Sequence, residues 1–296
     1  MLIYDCSNSP YSPSHRNQGG PVENEVVRLL KKAFTFTPQI NEADLFFTND
    51  VYPPNLPSLP KIKRMDGIFW QEEFLKRNQP YNQAALESDF VIFISEYSKN
   101  SFSEVIPCSV ILNWVDDSEY PRKQFYRDLP TTAISACTNW SREEKRLGDV
   151  LALAKMYPEI TFNLMGACDF STPLNVVKLG YIDSIAEKVK YYHRADFFVN
   201  LSHRDAAPKV VAEAICCGLP VFYANSGGTP ELVTVGLGVE DPEIGRRCYP
   251  LNNLEQRFSE FLSMYPQLSE RAIGQEINRT EELLRGFGNV FESQLC

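Results

Sequence analysis

"DFFVNLSHRDAAPKVVAEAICCGLPVFYANSGGTPELV" runs from Asp196 to Val233, and its reading decides the fold. It opens on "DFFVNLS", an apolar run of strand length. Pro208 then suits the first turn of a helix, because it has no N–H to lose there, and "PKVVAEAICC" continues as that helix. "LPVFYA" is a second apolar strand and "NSGG" a turn. "TPEL" starts another helix, with Thr229 as N-cap, Pro230 at the first position and Glu231 in the first turn. Strands alternating with helices build parallel sheets covered on both faces. Ligands of such sheets bind beyond the carboxyl ends of the strands, where helix N-termini converge.

Two acids stand in this stretch. Asp205 follows the first strand, and Glu213 is the only charge between Val210 and Cys217, in a helix apolar nearly all round. Such a helix is a buried one. A carboxylate there costs roughly 2–7 kcal/mol unless donors satisfy it. Lys209 offers a local ion pair worth about 0.3–0.5 kcal/mol. A ribose, with two adjacent hydroxyl donors, is the alternative partner. The Ser-Gly-Gly turn can offer backbone N–H groups to an anion, and helix N-termini suit phosphate.

The same alternation extends in both directions. "LIYDC", "ADLFFT", "PKIKRMDG", "SDFVIFIS" and "SVILNWVD" read as strands. "GPVENEVVRLLKKAF" reads as a helix whose apolar face holds Val22, Val26, Val27, Leu29, Leu30 and Phe34. Asp117 to Pro130 is charged, carries two prolines and lacks periodicity, as an interdomain linker would. The pattern then restarts with the strand "TTAISACT", the helix "REEKRLGDVLALAKMY", the strand "ITFNLMG" and the helix "SIAEKVKYYHRA". The tail is helical. The expected fold class is therefore α/β, with two Rossmann-like domains: residues 1–116, a linker over 117–130, and residues 131–274. A terminal helix is expected over 275–296.

Composition narrows the function. The formal net charge of −9 argues against a broad nucleic-acid surface, which needs a basic excess. No apolar run reaches transmembrane length, and "MLIYDCSNSP" lacks the features of a secretion signal. The eight cysteines are scattered and do not cluster with His15, His193 or His203. Reduced thiols in the cytoplasm are expected, with neither a zinc site nor a disulfide framework. The sequons at Asn139, Asn200 and Asn278 are expected to stay unglycosylated. No Gly-x-Gly-x-x-Gly follows the first strand, which disfavours a dinucleotide-dependent oxidoreductase.

The stretch resembles the nucleotide-sugar signature of the retaining glycosyltransferases of family 4, which have the GT-B fold. That signature is an acid, seven residues, a glutamate, then Gly-x-Pro-Val and a Gly-Gly with a later Glu. Here these are Asp205, Glu213, "AICCGLPV" and "SGGTPE". Asp205 stands where the family usually has Glu, and "AAP" where it has Gly-x-Gly. "SVILNWVD", with Trp114 in place of Gly, is similar to the family's interdomain crossing, and "SDFVIFISEYSKNSF" to the strand before it. "NQGGPVENEVVRLL" resembles the glycine loop opening the first helix, and "RMDGIFW" an acceptor-side strand. "NWSREEKRLGDVL" is similar to the segment carrying the diphosphate lysine, and "LGYI" matches the Gly after the base-binding strand.

The resemblance implies two domains facing across a cleft, and transfer of a glycosyl group from a UDP- or GDP-linked sugar to an acceptor hydroxyl with retention. It implies that Lys145, aided by Arg142 or Arg146, stabilises the departing diphosphate, joined by backbone N–H groups at Val210 and the Gly227-Gly228 turn. Glu213 would hold the ribose and Asp205 the donor sugar. Gly166, Gly180 and Tyr181 would border the base. Gly19 and Gly20 would approach the diphosphate, and Asp66 would orient the acceptor or take its proton, with His15 a weaker candidate and His193 structural. No Asp-x-Asp occurs, so no metal and no cofactor beyond the donor are expected. The partners are a nucleotide sugar and a glycan or small-molecule acceptor. A nucleotide-sugar-binding protein without transfer, or an epimerase or hydrolase of the same fold, stays open as an alternative.

Overall fold

The computed structural model describes residues 1–8, 25–67, 72–244 and 247–295. The chain divides into two units, Met1–Val115 with Arg279–Cys296, and Asp116–Asn278.

In the first unit, short apolar runs form the strands β1 (Leu2–Asp5), β2 (Thr35–Phe36), β3 (Leu45–Thr48), β4 (Lys61–Met65), β5 (Phe90–Phe93) and β6 (Cys108–Val110). They pair in the order β2-β1-β3-β4-β5-β6, all parallel. Among the described residues, three α-helices intervene: α1 (Glu25–Leu30), α2 (Asn78–Leu86) and α3 (Glu96–Asn100). α1 buries Val26, Val27, Leu29 and Leu30. α3 is fixed at its start by a capping box, the Ser98 amide donating to Ser95 Oγ and the Ser95 amide to Ser98 Oγ.

Lys63, on β4, is wholly buried, with Nζ donating to the Arg64 carbonyl at 2.9 Å and lying 5.7 Å from the centre of the Tyr81 ring. Burial pulls its pKa down to about 8, against the opposing pull of Asp66 and Asp50. The unfolded lysine keeps its proton to a higher pH, so this group adds stability as the pH rises through 8 towards 10.5. Wild-type protein is expected to gain stability relative to Lys63→Met between pH 7 and 9 in urea unfolding. An unchanged difference would refute a burial-shifted lysine.

The second unit holds β7 (Thr132–Asn139), α4 (Leu147–Met156), β8 (Thr161–Ala167), β9 (Val176–Gly180), α5 (Ile185–Arg194), β10 (Phe197–Asn200), α6 (Lys209–Cys216), β11 (Val221–Asn225), α7 (Thr229–Leu232), β12 (Gly236–Glu240) and α8 (Leu254–Gly274). Its parallel sheet runs β12-β11-β10-β7-β8-β9. The strand order reverses between β7 and β10, which are neighbours in space but not in sequence. Phe258 and Phe261 of α8 pack against Phe197 and Phe222 of the sheet, with centroids 5.0–5.8 Å apart.

The last helix, α9 (Arg279–Ser293), belongs to the first unit. Phe287 and Phe291 meet Phe47 at 6.0 and 5.9 Å, and Phe291 meets Phe34 at 5.1 Å. Arg279 lies over the Trp114 ring at 4.8 Å.

Three details differ from the expectations. Residues 117–130 do not hang free as a linker, because they pack within the second unit. Tyr120 is buried there, the Lys123 Nζ donates to the Ala195 carbonyl, and Arg122 donates to the carbonyls of Ala272 and Ile273. The helix expected from Arg142 is broken: Glu143–Lys145 is a 3-10 turn, Arg146 is left-handed, and α4 starts at Leu147. The N-cap of α7 is Gly228 rather than Thr229, which is the first helical residue and fully buried.

Candidate active site

The reversal between β7 and β10 places two loops side by side. The loop after β7 carries Lys145, and the loop after β10 carries Asp205. Lys145 Nζ donates to Asp205 Oδ2 at 2.7 Å, with 12% of the lysine and 23% of the aspartate side chain exposed. Sequence-distant residues of opposite charge thus meet where an α/β sheet binds ligands. A second tie joins the loops, the His203 amide donating to the Glu144 carbonyl at 2.8 Å. Arg142 is half exposed and forms an ion pair with Glu144.

Glu213 lies on α6 and is 4% exposed. Its Oε2 accepts from the Tyr192 hydroxyl at 2.6 Å, and its Oε1 from Lys188 Nζ at 2.5 Å and the Tyr120 hydroxyl at 3.1 Å. The compensation sought in Lys209 or a ligand diol is therefore supplied by α5 and by the segment 117–130. Burial, then the Glu213 charge, raises the Tyr192 pKa well above its ordinary value, which keeps the phenol a donor. A carboxylate has about four acceptor positions, so the three protein donors leave room for one more.

The expected anion-binding amides are partly engaged. The Gly228 amide donates to the Asp205 carbonyl at 2.8 Å, and the Gly227 amide to Glu243 Oε1 at 3.3 Å. Gly227 has φ +61°, and a Cβ there would lie 2.2 Å from the Asp205 carbonyl oxygen. Gly227→Ala is therefore expected to lower stability by about 2 kcal/mol, from left-handed strain and the displaced Asp205 backbone. Thermal unfolding checks this, and an unshifted midpoint would contradict it. Gly166 has φ +121°, and a Cβ there would meet the Cys137 carbonyl oxygen at 2.0 Å, so the end of β8 presses on β7. Gly180, with φ +74°, has open space where a Cβ would be, and Tyr181 beside it is 64% exposed. Val210 is the second residue of α6, in the turn whose amides lack intrahelical acceptors.

Arg146, expected to assist Lys145 at the diphosphate, turns inward instead. Its side chain is 2% exposed and Nη2 donates to Asp241 Oδ1 at 2.6 Å. His203 Nδ1 donates to Asp241 Oδ2 at 2.5 Å, both side chains being fully buried. Burial raises the Asp241 pKa, but hydrogen bonds from His203, Arg146 and Ser226 outweigh it and hold the carboxyl well below the usual range. Asp241 did not stand out in the sequence, where "EDPE" reads as one more charged loop.

Residues 172–239 match the family model described as glycosyl transferases group 1. The group 1 glycosyltransferase match thus falls within the second unit. N-acetyl-alpha-D-glucosaminyl L-malate synthase of Bacillus anthracis is 27% identical over 174 residues, 51% of this chain and 45% of that protein. The match thus spans under half of this curated relative. Among solved structures, a glycosyltransferase of Rickettsia africae superposes with a TM-score of 0.65 at 14% identity, covering 99% of this chain and 98% of that one. Anabaena HepE, in complex with UDP and glucose, gives 0.65 at 14% identity, covering 99% of each chain. The sucrose-phosphate synthase of Thermosynechococcus elongatus gives 0.67 at 15% identity, covering 99% of this chain and 88% of that one. The fold is GT-B, as the sequence motifs imply.

The second unit holds every expected site residue except those of the first unit, and the matched residues 172–239 include Gly180, Tyr181, Asp205, Val210, Glu213, Gly227 and Gly228 but not Arg142, Lys145 or Gly166. In the first unit, Asp66 follows β4, forms an ion pair with Arg64 and accepts from Asn49 Nδ2 at 3.2 Å. Its side chain is 44% exposed. Gly19, Gly20 and His15 lie outside the described residues. His193 Nε2 donates to the Pro121 carbonyl at 2.6 Å, a structural contact within the second unit.

Proposed function

We propose that the protein transfers a glycosyl group from a nucleoside diphosphate sugar to an acceptor hydroxyl, with retention and without a metal ion. The observation that carries this reading is the Lys145–Asp205 pair at the strand reversal of the unit that holds the group 1 match. A departing diphosphate needs cationic and N–H donors placed before the bond breaks. Lys145 supplies the charge by exchanging Asp205 for a phosphate, and the freed Asp205 turns to the donor sugar's hydroxyls. Val210, with Gly227 and Gly228, shapes the phosphate region. Glu213 offers its fourth acceptor position to the ribose, while Gly166, Gly180 and Tyr181 border the base. Asp66 is assigned the acceptor hydroxyl. A uridine donor is the first to test, since HepE crystals hold UDP and UDP-glucose. Among the described residues, the cysteines are free thiols, which fits the cytoplasmic location we propose.

The test is calorimetry with UDP and GDP, followed by incubation with UDP- and GDP-sugars in the presence of a chelator. The expected result is binding, chelator-insensitive donor consumption, and a product whose anomeric configuration by NMR equals that of the donor. Absence of nucleoside diphosphate binding would end this reading. Tight binding with no donor consumed would leave a nucleotide-sugar-binding protein.

A further inference from the structure

Two arginines flank the Lys145–Asp205 pair in conformations that side chains disfavour. Arg146, directly after Lys145, has φ +49°, and Arg204, directly before Asp205, has φ +52°. Left-handed backbone costs a non-glycine residue roughly 1–2 kcal/mol, so the surrounding structure must impose both.

The segment after β12 imposes them. Asp241 holds Arg146 with one carboxylate oxygen and His203 with the other. Two residues on, Glu243 Oε1 accepts from Ser226 Oγ at 2.8 Å and from the Gly227 amide at 3.3 Å. The Glu243 carbonyl accepts from Arg204 Nη2 at 3.1 Å, and Ser226 Oγ accepts the Arg204 amide at 2.7 Å. Glu243 is itself left-handed, with φ +34°. One short segment therefore grips the loop after β7, the loop after β10 and the glycine turn after β11. Its grip falls on the residues adjoining Lys145 and Asp205. An ion pair as buried as Arg146–Asp241 is weak as a source of stability, since desolvation offsets most of the attraction. A gain in placement accounts for it better.

We propose that Asp241 and Glu243 are positioning residues, which set the two loops so that Lys145 and Asp205 face the diphosphate end of the donor. This rests on the donor reading given above. It assigns the segment 241–243 an effect on the phosphates and none on the nucleoside.

The test uses Asp241→Asn and Glu243→Ala in the full chain, with UDP against UMP and GDP against GMP by calorimetry. Wild type is expected to prefer the diphosphate of its base. In each variant that preference should fall by roughly tenfold, as for lost supports of a first contact, with monophosphate affinity within about twofold of wild type. A merely structural role would lower the melting temperature and leave the preference intact. Should Asp241→Asn fail to fold, Glu243→Ala, whose side chain is 35% exposed, carries the test. Folded variants that keep the full preference overturn the inference while leaving the donor reading standing. A wild-type protein that binds neither diphosphate overturns both.

Discussion

Lys145→Ala is expected to lower turnover by about 10²–10³-fold, the usual loss when one donor to a developing anion is removed. Among the described residues, the two arginines nearest Lys145 in the chain are already engaged. Arg142 is half exposed and paired with Glu144, and Arg146 is buried against Asp241. Either would have to abandon a buried carboxylate, Glu144 or Asp241, whereas Lys145 leaves the part-exposed Asp205. Asp205, which is 23% exposed, would meet water when its partner is lost, so the fold should survive. Turnover at saturating donor, with the melting temperature as control, measures this. A loss below tenfold in a folded variant would remove Lys145 from the proposed chemistry.

Glu213→Ala should show a second large effect, on stability. Truncating one member of a buried, hydrogen-bonded charge pair costs about 3–5 kcal/mol, because the partner is left uncompensated. Here Tyr192 and Tyr120 lose a hydrogen-bond acceptor and Lys188 loses its carboxylate partner. Tyr192→Phe removes one hydrogen bond to a charged group and should cost about 1.5–3 kcal/mol. Urea unfolding gives both values. If the ribose also uses Glu213, nucleotide affinity falls in Glu213→Ala and holds in Tyr192→Phe. Equal stability of Glu213→Ala and wild type would contradict the buried network.

Most of the fold was legible because strands buried on both faces are written as plain apolar runs, such as "DFFVNLS" and "SDFVIFIS". β12 escaped that reading because its composition is set by crowding. A Cβ at Gly236 would lie 2.1 Å from the Val221 carbonyl oxygen, and one at Gly238 2.4 Å from Asn225 Oδ1. The clash at Gly236 is with backbone and at Gly238 with a side chain, and the two glycines dilute the apolar signal. The break at Arg146 escaped because "REEKRL" consists of good helix-forming residues, and a distant Asp241 overrides them. Glu213 stood out as a charge in an apolar helix, and Asp205 and Lys145 through the family resemblance. The partners of Glu213 did not, because Lys188, Tyr120 and Tyr192 look ordinary until the fold brings them near.

The division of the chain sets an order for its synthesis. The second unit is one uninterrupted segment, Asp116–Asn278, and all its core residues emerge in succession. The first unit starts earlier but cannot finish until Phe287 and Phe291 arrive to cover Phe34 and Phe47. Domains fold as units as they leave the ribosome. The sheet that begins first is thus completed last, after the contiguous second domain is already assembled. A chain stopped at Asn278 would keep that domain and leave the first sheet permanently unroofed.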